Sequence, residues 1–164
     1  MMKNMAKNNV IVVGGGMVGA AMAIKLAQQG KVVRVIEKHP IDAPQVLNSD
    51  DVDIRVSAIN RFSEKLLDQL GAMPLLRANR LAPYEQLETF ERSNDHLLFD
   101  CHAINTTHLG HLIENKLIQA SLWQQFHILS YDQMVSPKIN NQTTRCANSI
   151  FYTTLFTNTA LNYT

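Results

Sequence analysis

A chain of 164 residues, 46% hydrophobic and 18% charged, has the composition of one globular domain with a buried core. Its 15 basic and 14 acidic residues leave a formal charge of +1, which excludes the concentrated basic surface that nucleic-acid binding requires. Two cysteines, Cys101 and Cys146, are too few for a disulfide scaffold and are expected as free thiols in a reducing compartment.

Residues 1–9 are basic and asparagine-rich and are expected to be flexible. The apolar run behind them is interrupted at once by Gly14-Gly15-Gly16, so neither a signal peptide nor a membrane span of about 20 apolar residues is expected. Val10-Ile11-Val12-Val13 is a β-branched run suited to a buried parallel strand. It runs into G-x-G-x-x-G, with Gly14, Gly16 and Gly19 at the fixed positions. Ala20 to Gln29 consists largely of good helix formers, and Gly30 is suited to stop that helix. A second strand, Lys31 to Ile36, ends in Glu37.

That spacing has a chemical reading. Gly14 allows a tight turn out of the strand. Gly16 leaves room for a diphosphate against the backbone, and Gly19 lets the helix pack closely on the strand. Free N–H groups of the first helical turn would face the phosphates, favoured by the helix dipole. Glu37, 23 residues after Gly14, is placed to accept hydrogen bonds from an adenosine ribose. Its charge disfavours a 2′-phosphate, so FAD or NAD suits this first site better than NADP. The glycine motif alone is weak, but the strand–turn–helix–strand–acid context strengthens it.

After an acidic stretch at residues 50–53, the spacing predicts a helix over 58–70. Ile59, Phe62, Leu66 and Leu70 would share its apolar face, with Ser57 as N-cap and Gly71 as stop. Arg55, just before it, could reach a phosphate or ribityl oxygen, or pair with one of the acids at 50, 51 or 53; both readings stay open. Tyr84 to Arg92 and His96 to Asp100 read as two strands joined by a polar turn at 93–95. A second helix is expected over Glu114 to Phe126, with Leu117, Ile118, Leu122 and Phe126 inward and Ser121 and Trp123 flanking. Glu114, Asn115 and Gln119 near its start are the candidates for ligand contact. Ile128 to Tyr131 could add a short strand.

His102 and His108 lack a partner pattern of Cys or Glu, so no metal site is expected. Cys101 and His102 read as neighbours in an extended segment, where side chains point to opposite faces, so no Cys–His dyad is expected. No G-x-S-x-G, H-E-x-x-H or Walker A motif occurs, and no catalytic side chain is assigned. From Lys138 to Thr164 there is no acid, and 12 of these 27 residues are Asn or Thr.

Several stretches together carry a family resemblance: Ile11 to Gly19, Val35-Ile36-Glu37, Asp53 to Ile59, Pro83 to Thr89, and Leu109 to Asn115 continuing through Ala120 to Trp123. The chain resembles the N-terminal part of the flavin-dependent hydroxylases of ubiquinone biosynthesis, the UbiH/UbiF/VisC group of the p-hydroxybenzoate hydroxylase-like class. The resemblance implies an α/β fold: an incomplete Rossmann-like FAD/NAD(P)-binding domain over residues 10–136, with the start of an inserted, substrate-facing β sheet around 84–100. It implies FAD on Gly14, Gly16, Gly19 and Glu37, with Arg55 helping to seat it. Asn115 and Gln119 would face the flavin side. It further implies NAD(P)H as electron donor and a quinol ring as the small-molecule substrate that receives one oxygen atom from O₂. A cytoplasmic location follows, without a transmembrane segment, with peripheral contact to the inner membrane or to a ubiquinone-biosynthesis complex.

The family's later Gly-Ala-Asp-Gly and Gly-Asp-Ala-Ala-His motifs do not occur here. The resemblance fades near Ser136, so residues 137–164 are expected to be non-family sequence, as from a truncated or frameshifted gene. Weak FAD binding, no turnover and poor solubility are then expected of the chain itself. Two alternatives remain: a non-catalytic dinucleotide-binding fragment or pseudogene product, and another FAD oxidoreductase such as an amine or amino-acid oxidase.

Overall fold

The computed structural model describes residues 9–92, 95–129 and 151–155. The chain opens as a β-α-β unit: β1 (Asn9–Val13), α1 (Met17–Gln28) and β2 (Val32–Glu37). β1 and β2 pair in parallel, from Asn9 opposite Val32 to Val13 opposite Ile36. This is the expected mixed α/β arrangement, a partial Rossmann-like domain built on its first parallel pair. α1 ends as expected at Gly30, whose φ of +80° admits glycine readily. The Gly30 N–H donates to the Ala27 carbonyl and the Lys31 N–H to that of Leu26, which closes the helix end. The backbone of β8 (Phe151–Leu155), within the segment expected to be non-family sequence, pairs antiparallel with the other edge of β2.

α2 (Ala43–Leu47) follows, capped by Asp42, whose Oδ1 accepts from the Gln45 N–H at 3.0 Å. β3 (Val56–Asn60) leads directly into α3 (Arg61–Gln69), and α4 (Met73–Ala78) comes next. The helix expected over 58–70 is therefore too long at its start. Residues 56–60 pair antiparallel with β7 (Gly110–Glu114) over five rungs instead. Sheet pairing at long range outweighs local helical spacing in so short an apolar run. The N-cap is Asn60, whose Oδ1 accepts from the Ser63 N–H, rather than Ser57. Phe62 points outward, 80% exposed, and Leu67 takes its place as the buried residue of α3. Gly71 does end α3, with a φ of +80°.

β4 (Ala82–Tyr84) pairs with β7, which makes a second sheet of order β3–β7–β4. β5 (Gln86–Arg92) and β6 (Asp95–Asp100) form the expected antiparallel hairpin, except that Tyr84 belongs to β4. The expected turn residues at 93–94 lie outside the described residues. Cys101–Ile104 is a 3₁₀ turn, and α5 spans Asn115–Leu129. Glu114 thus closes β7 rather than opening the helix. Ile128 and Leu129 continue α5 instead of forming a strand, and the rest of that expected strand lies outside the described residues.

The core lies where α1, β2 and α5 meet. Ala20, Ala23 and Ala27 give α1 a flank of small side chains, which lets a neighbour approach closely. Val33 and Val35 of β2 and Leu117, Ile118, Leu122 and Phe126 of α5 are buried in the same cluster, as are Leu70, Met73 and Leu76. The inward face expected for α5 is therefore observed. Among the described residues no helix is long and apolar enough to cross a membrane.

Leu122 is fully buried, whereas Phe62 lies mostly in solvent. Leu122→Ala should cost about 2–5 kcal/mol through lost contacts and an unfilled cavity. Phe62→Ala should change stability by no more than about 0.5 kcal/mol. Urea unfolding of both variants measures the contrast, and equal costs would refute the outward placement of Phe62.

Candidate dinucleotide-binding site

The glycine turn is assembled from three directions. Gly14 leaves β1 with φ +97° and donates its N–H to the Ile36 carbonyl at 2.8 Å, which ties the turn to the end of β2. Gly16 caps α1 in ordinary extended geometry, φ −64° and ψ −179°, and its carbonyl accepts from the Ala20 N–H. A Cβ at Gly16 would meet no atom of the chain within 4 Å. At Gly19 a Cβ would stand 1.9 Å from the Gly14 carbonyl oxygen, so that residue cannot carry a side chain without moving the turn. The three glycines therefore have three separate physical requirements, matching the division expected from their spacing. The first-turn N–H groups of α1 have no partner within the helix and open onto the unfilled side of Gly16.

Gly15, the variable position of the motif, is the most confined. Its N–H donates to Glu37 Oε2. Its carbonyl accepts from Gln119 Nε2 at 3.0 Å and from Trp123 Nε1 at 2.6 Å. A Cβ there would lie 2.6 Å from Trp123 Cζ2 and 3.2 Å from Glu37 Cβ. Glu37 Oε1 also accepts from the His39 N–H at 2.8 Å. That hydrogen bond, with the one from Gly15, outweighs burial and holds the carboxyl below its ordinary value.

Asn115 and Arg55 meet elsewhere. Asn115 Oδ1 accepts from Ser57 Oγ at 2.6 Å, and the Asn115 N–H donates to the Arg55 carbonyl at 2.9 Å. The Arg55 side chain is exposed and, among the described residues, forms no ion pair; its backbone N–H bonds Asp53 Oδ1. The carboxylate of Asp53 pairs with Lys116 at 3.2 Å. Gly14, Gly16, Gly19, Glu37 and Gln119 thus gather at the turn, while Arg55 and Asn115 sit together at the start of α5. Asn115, Gln119 and Trp123 follow one another at four-residue intervals along one helix face, which links the two groups.

Glu114 is not free for a ligand. It is 6% exposed and takes Arg80 Nε at 2.8 Å and the Asp53 N–H at 2.8 Å. Arg80 also donates to the carbonyls of Ser49 and Asp51, so one guanidinium anchors the whole segment leading to Arg55. A cleft of about 340 Å³ opens beside this network, but neither Glu37 nor the glycines line it.

Sequence reasoning also missed Trp123 and Arg80. Trp123 looked like a flanking residue, yet an indole that keeps its N–H when buried needs an acceptor, and that is the available signal. Cys101 and His102 lie in a 3₁₀ turn rather than an extended segment, with Sγ 3.5 Å from Nδ1. Burial pushes the Cys101 thiol up, so it stays neutral. His108 and His111 both reach Glu64 of α3, a partner far away in sequence.

With this geometry established, known proteins can be compared. Residues 9–45 match the family described as FAD dependent oxidoreductase. The chain is 44% identical over 115 residues to 3-demethoxyubiquinol 3-hydroxylase of Escherichia coli, covering 70% of this chain and 29% of that protein. It is 34% identical over 131 residues to the ubiquinone biosynthesis monooxygenase COQ6, mitochondrial, of Xenopus tropicalis, covering 74% and 27%. At family level the match is to the FAD-dependent Ubi/COQ monooxygenases. The chain spans less than a third of the length of these relatives. The crystal structure of p-nitrophenol 4-monooxygenase PnpA from Pseudomonas putida DLL-E4 shares the fold, with TM-score 0.52 and 21% identity over 74% of this chain and 30% of that one. The Ubi/COQ match supports FAD as the cofactor.

The carboxyls of Glu37, Glu64 and Glu114 are all held below the ordinary 4.5 in the folded chain. For Glu114 the first cause is the Arg80 hydrogen bond, acting against burial. A depressed folded value means the stabilisation is complete above the unfolded value of 4.5 and is lost as pH falls through the lowered values. Thermal midpoints should therefore drop steadily below pH 4.5. Glu114→Gln should melt lower at neutral pH and lose less on acidification. Parallel acid limbs for the two proteins would rule out that contribution.

Proposed function

We propose that this chain carries the ADP-binding part of the FAD site of a Ubi/COQ-type monooxygenase. The observation behind this reading is the side-chain-free space at Gly16, in front of the first-turn amides of α1 and beside the ionised Glu37. A diphosphate fits that setting by charge and by shape. In this reading Gly14, Gly16 and Gly19 line the diphosphate, and Glu37 accepts from the adenosine ribose while bracing Gly15. Arg55, on the segment anchored by Arg80, seats the cofactor, and Asn115 and Gln119 face its flavin side. Residues 10–136 make up the cofactor-binding portion, 84–100 begin the substrate-facing insertion, and 137–164 stand outside the family sequence.

Bound FAD would supply the redox chemistry of oxygen insertion, with NAD(P)H as electron donor. The chain's own residues bind and orient the cofactor, and none is required as an acid or base. The activity proposed for the complete enzyme is hydroxylation of a prenylated benzoquinol, 2-octaprenyl-3-methyl-6-methoxy-1,4-benzoquinol. The name of the E. coli relative, a demethoxyubiquinol hydroxylase, supports this step. Similarity over 115 residues, well beyond the opening unit, favours it over an amine or amino-acid oxidase. For the chain by itself we infer dinucleotide binding without turnover, because the covered length falls far short of the relatives.

Gly16→Val separates binding from folding. Its backbone geometry suits any residue, and the added atoms meet open space. The variant should keep its circular dichroism while its affinity for FAD and for ADP falls by about tenfold or more, measured by calorimetric titration. Unchanged affinity, or no binding of either compound by the parent chain, would refute the assignment.

A further inference from the structure

A second cluster stands apart from the glycine turn. Glu64 on α3, His108 on the loop before β7 and His111 on β7 offer three ligand atoms, all within 4.8 Å of one another. His108 Nε2 lies 3.2 Å from Glu64 Oε2, and His111 Nδ1 bonds Glu64 Oε1. The two imidazoles meet edge to face, with centroids 4.7 Å apart, so both rings present a nitrogen to the same carboxylate. The three side chains are only 14–21% exposed, shielded but reachable. Among the described residues, the ion-pair partners of Glu64 are these two histidines.

We propose that Glu64, His108 and His111 form a binding site for a divalent transition-metal cation, best suited to Zn²⁺. Two imidazole nitrogens and one carboxylate oxygen are a donor set that Zn²⁺ accepts, with the fourth tetrahedral position left to water. Ligand atoms around such an ion stand about 3.3 Å apart, given bonds of about 2.0–2.1 Å. The 3.2 Å between His108 and Glu64 already has that spacing, and the remaining separations need only a side-chain adjustment. The second ring nitrogen of His108 lies 2.9 Å from Thr107 Oγ1, an outer partner that orients the imidazole. On binding, the ion displaces the ring protons that now face the carboxylate. The bound ion would clip α3 to β7 across 47 residues of chain.

The rival is a carboxylate that simply bridges two histidines. Titrating the tag-free full chain with Co²⁺, then with Zn²⁺ in competition, distinguishes them. Expected are visible absorption bands of four-coordinate Co²⁺ saturating at one equivalent, displacement by Zn²⁺, and a higher thermal midpoint with Zn²⁺ bound. Single His108→Ala and His111→Ala variants should weaken binding by about tenfold or more, and Thr107→Val by less. Glu64→Gln retains a hydrogen-bonding oxygen but loses the anionic ligand, and should also weaken binding. His102→Ala should leave it unchanged, since His102 belongs to the separate Asp100, Cys101, His102 group. Absent Co²⁺ bands in the folded chain would overturn the site, as would equal binding by His108→Ala and His111→Ala or a loss confined to His102→Ala.

Discussion

The peptide of Gly15 is held from both sides, and the candidate cofactor site depends on that grip. Its N–H meets an ionised carboxylate, a charge-assisted bond stronger than a neutral one. Its carbonyl takes two N–H donors from one helix face. With that peptide fixed, Gly14 and Gly16 have little freedom left, and the first turn of α1 presents its amides in one place. A loop set before its ligand arrives loses less freedom on binding. The residues that set it are far apart in sequence: Glu37 ends β2, and Gln119 and Trp123 come from α5.

α5 therefore works as a spacer as well as a core element. One face carries Leu117, Ile118, Leu122 and Phe126 into the interior. Another carries Asn115, Gln119 and Trp123, which reach the Arg55 segment at one end and the glycine turn at the other. Glu114, just ahead of the helix, adds a third attachment through Arg80. Its buried charge is tolerable because guanidinium and backbone N–H groups satisfy both of its oxygens. Moving α5 would disturb Arg55 and Gly15 together, so the two groups of candidate cofactor residues are mechanically coupled.

Local signals were legible in the sequence. The β-branched run, the glycine spacing, the helix stop at Gly30 and the acid at Glu37 all act within forty residues, and each corresponds to an observed feature. The hairpin and the inward face of α5 were legible for the same reason. Val56 to Asn60 misled because its partner strand lies some fifty residues away, and in so short a stretch helical and strand spacing look alike. Glu64 with His108 and His111 could not be read at all, since no spacing rule connects a helix to a strand across that distance. Trp123 was visible as an apolar residue, but the acceptor for its N–H exists only once the chain has folded.

One feature of the sequence exceeds what the described residues accommodate. A continuous run such as Val10 to Val13 suits a strand covered on both faces. In the structure, Val33 and Val35 of β2 face α1 and are buried, while Ile11 and Val13 of β1 are 61% and 81% exposed. The parallel pair is thus covered by helices on one side only, and the outward positions include Arg34 together with these apolar side chains. Val18, at the start of α1, is exposed as well. The mixed pattern has a simple physical reading. The strand is coded for a two-faced sheet of the doubly wound kind, and the described residues supply one of the two layers. The relatives, each more than three times as long as the stretch they share with this chain, have the length from which a second layer can be drawn. The glycine turn differs in this respect, because Glu37, Gln119 and Trp123 already lie within the described residues and set its geometry without that layer.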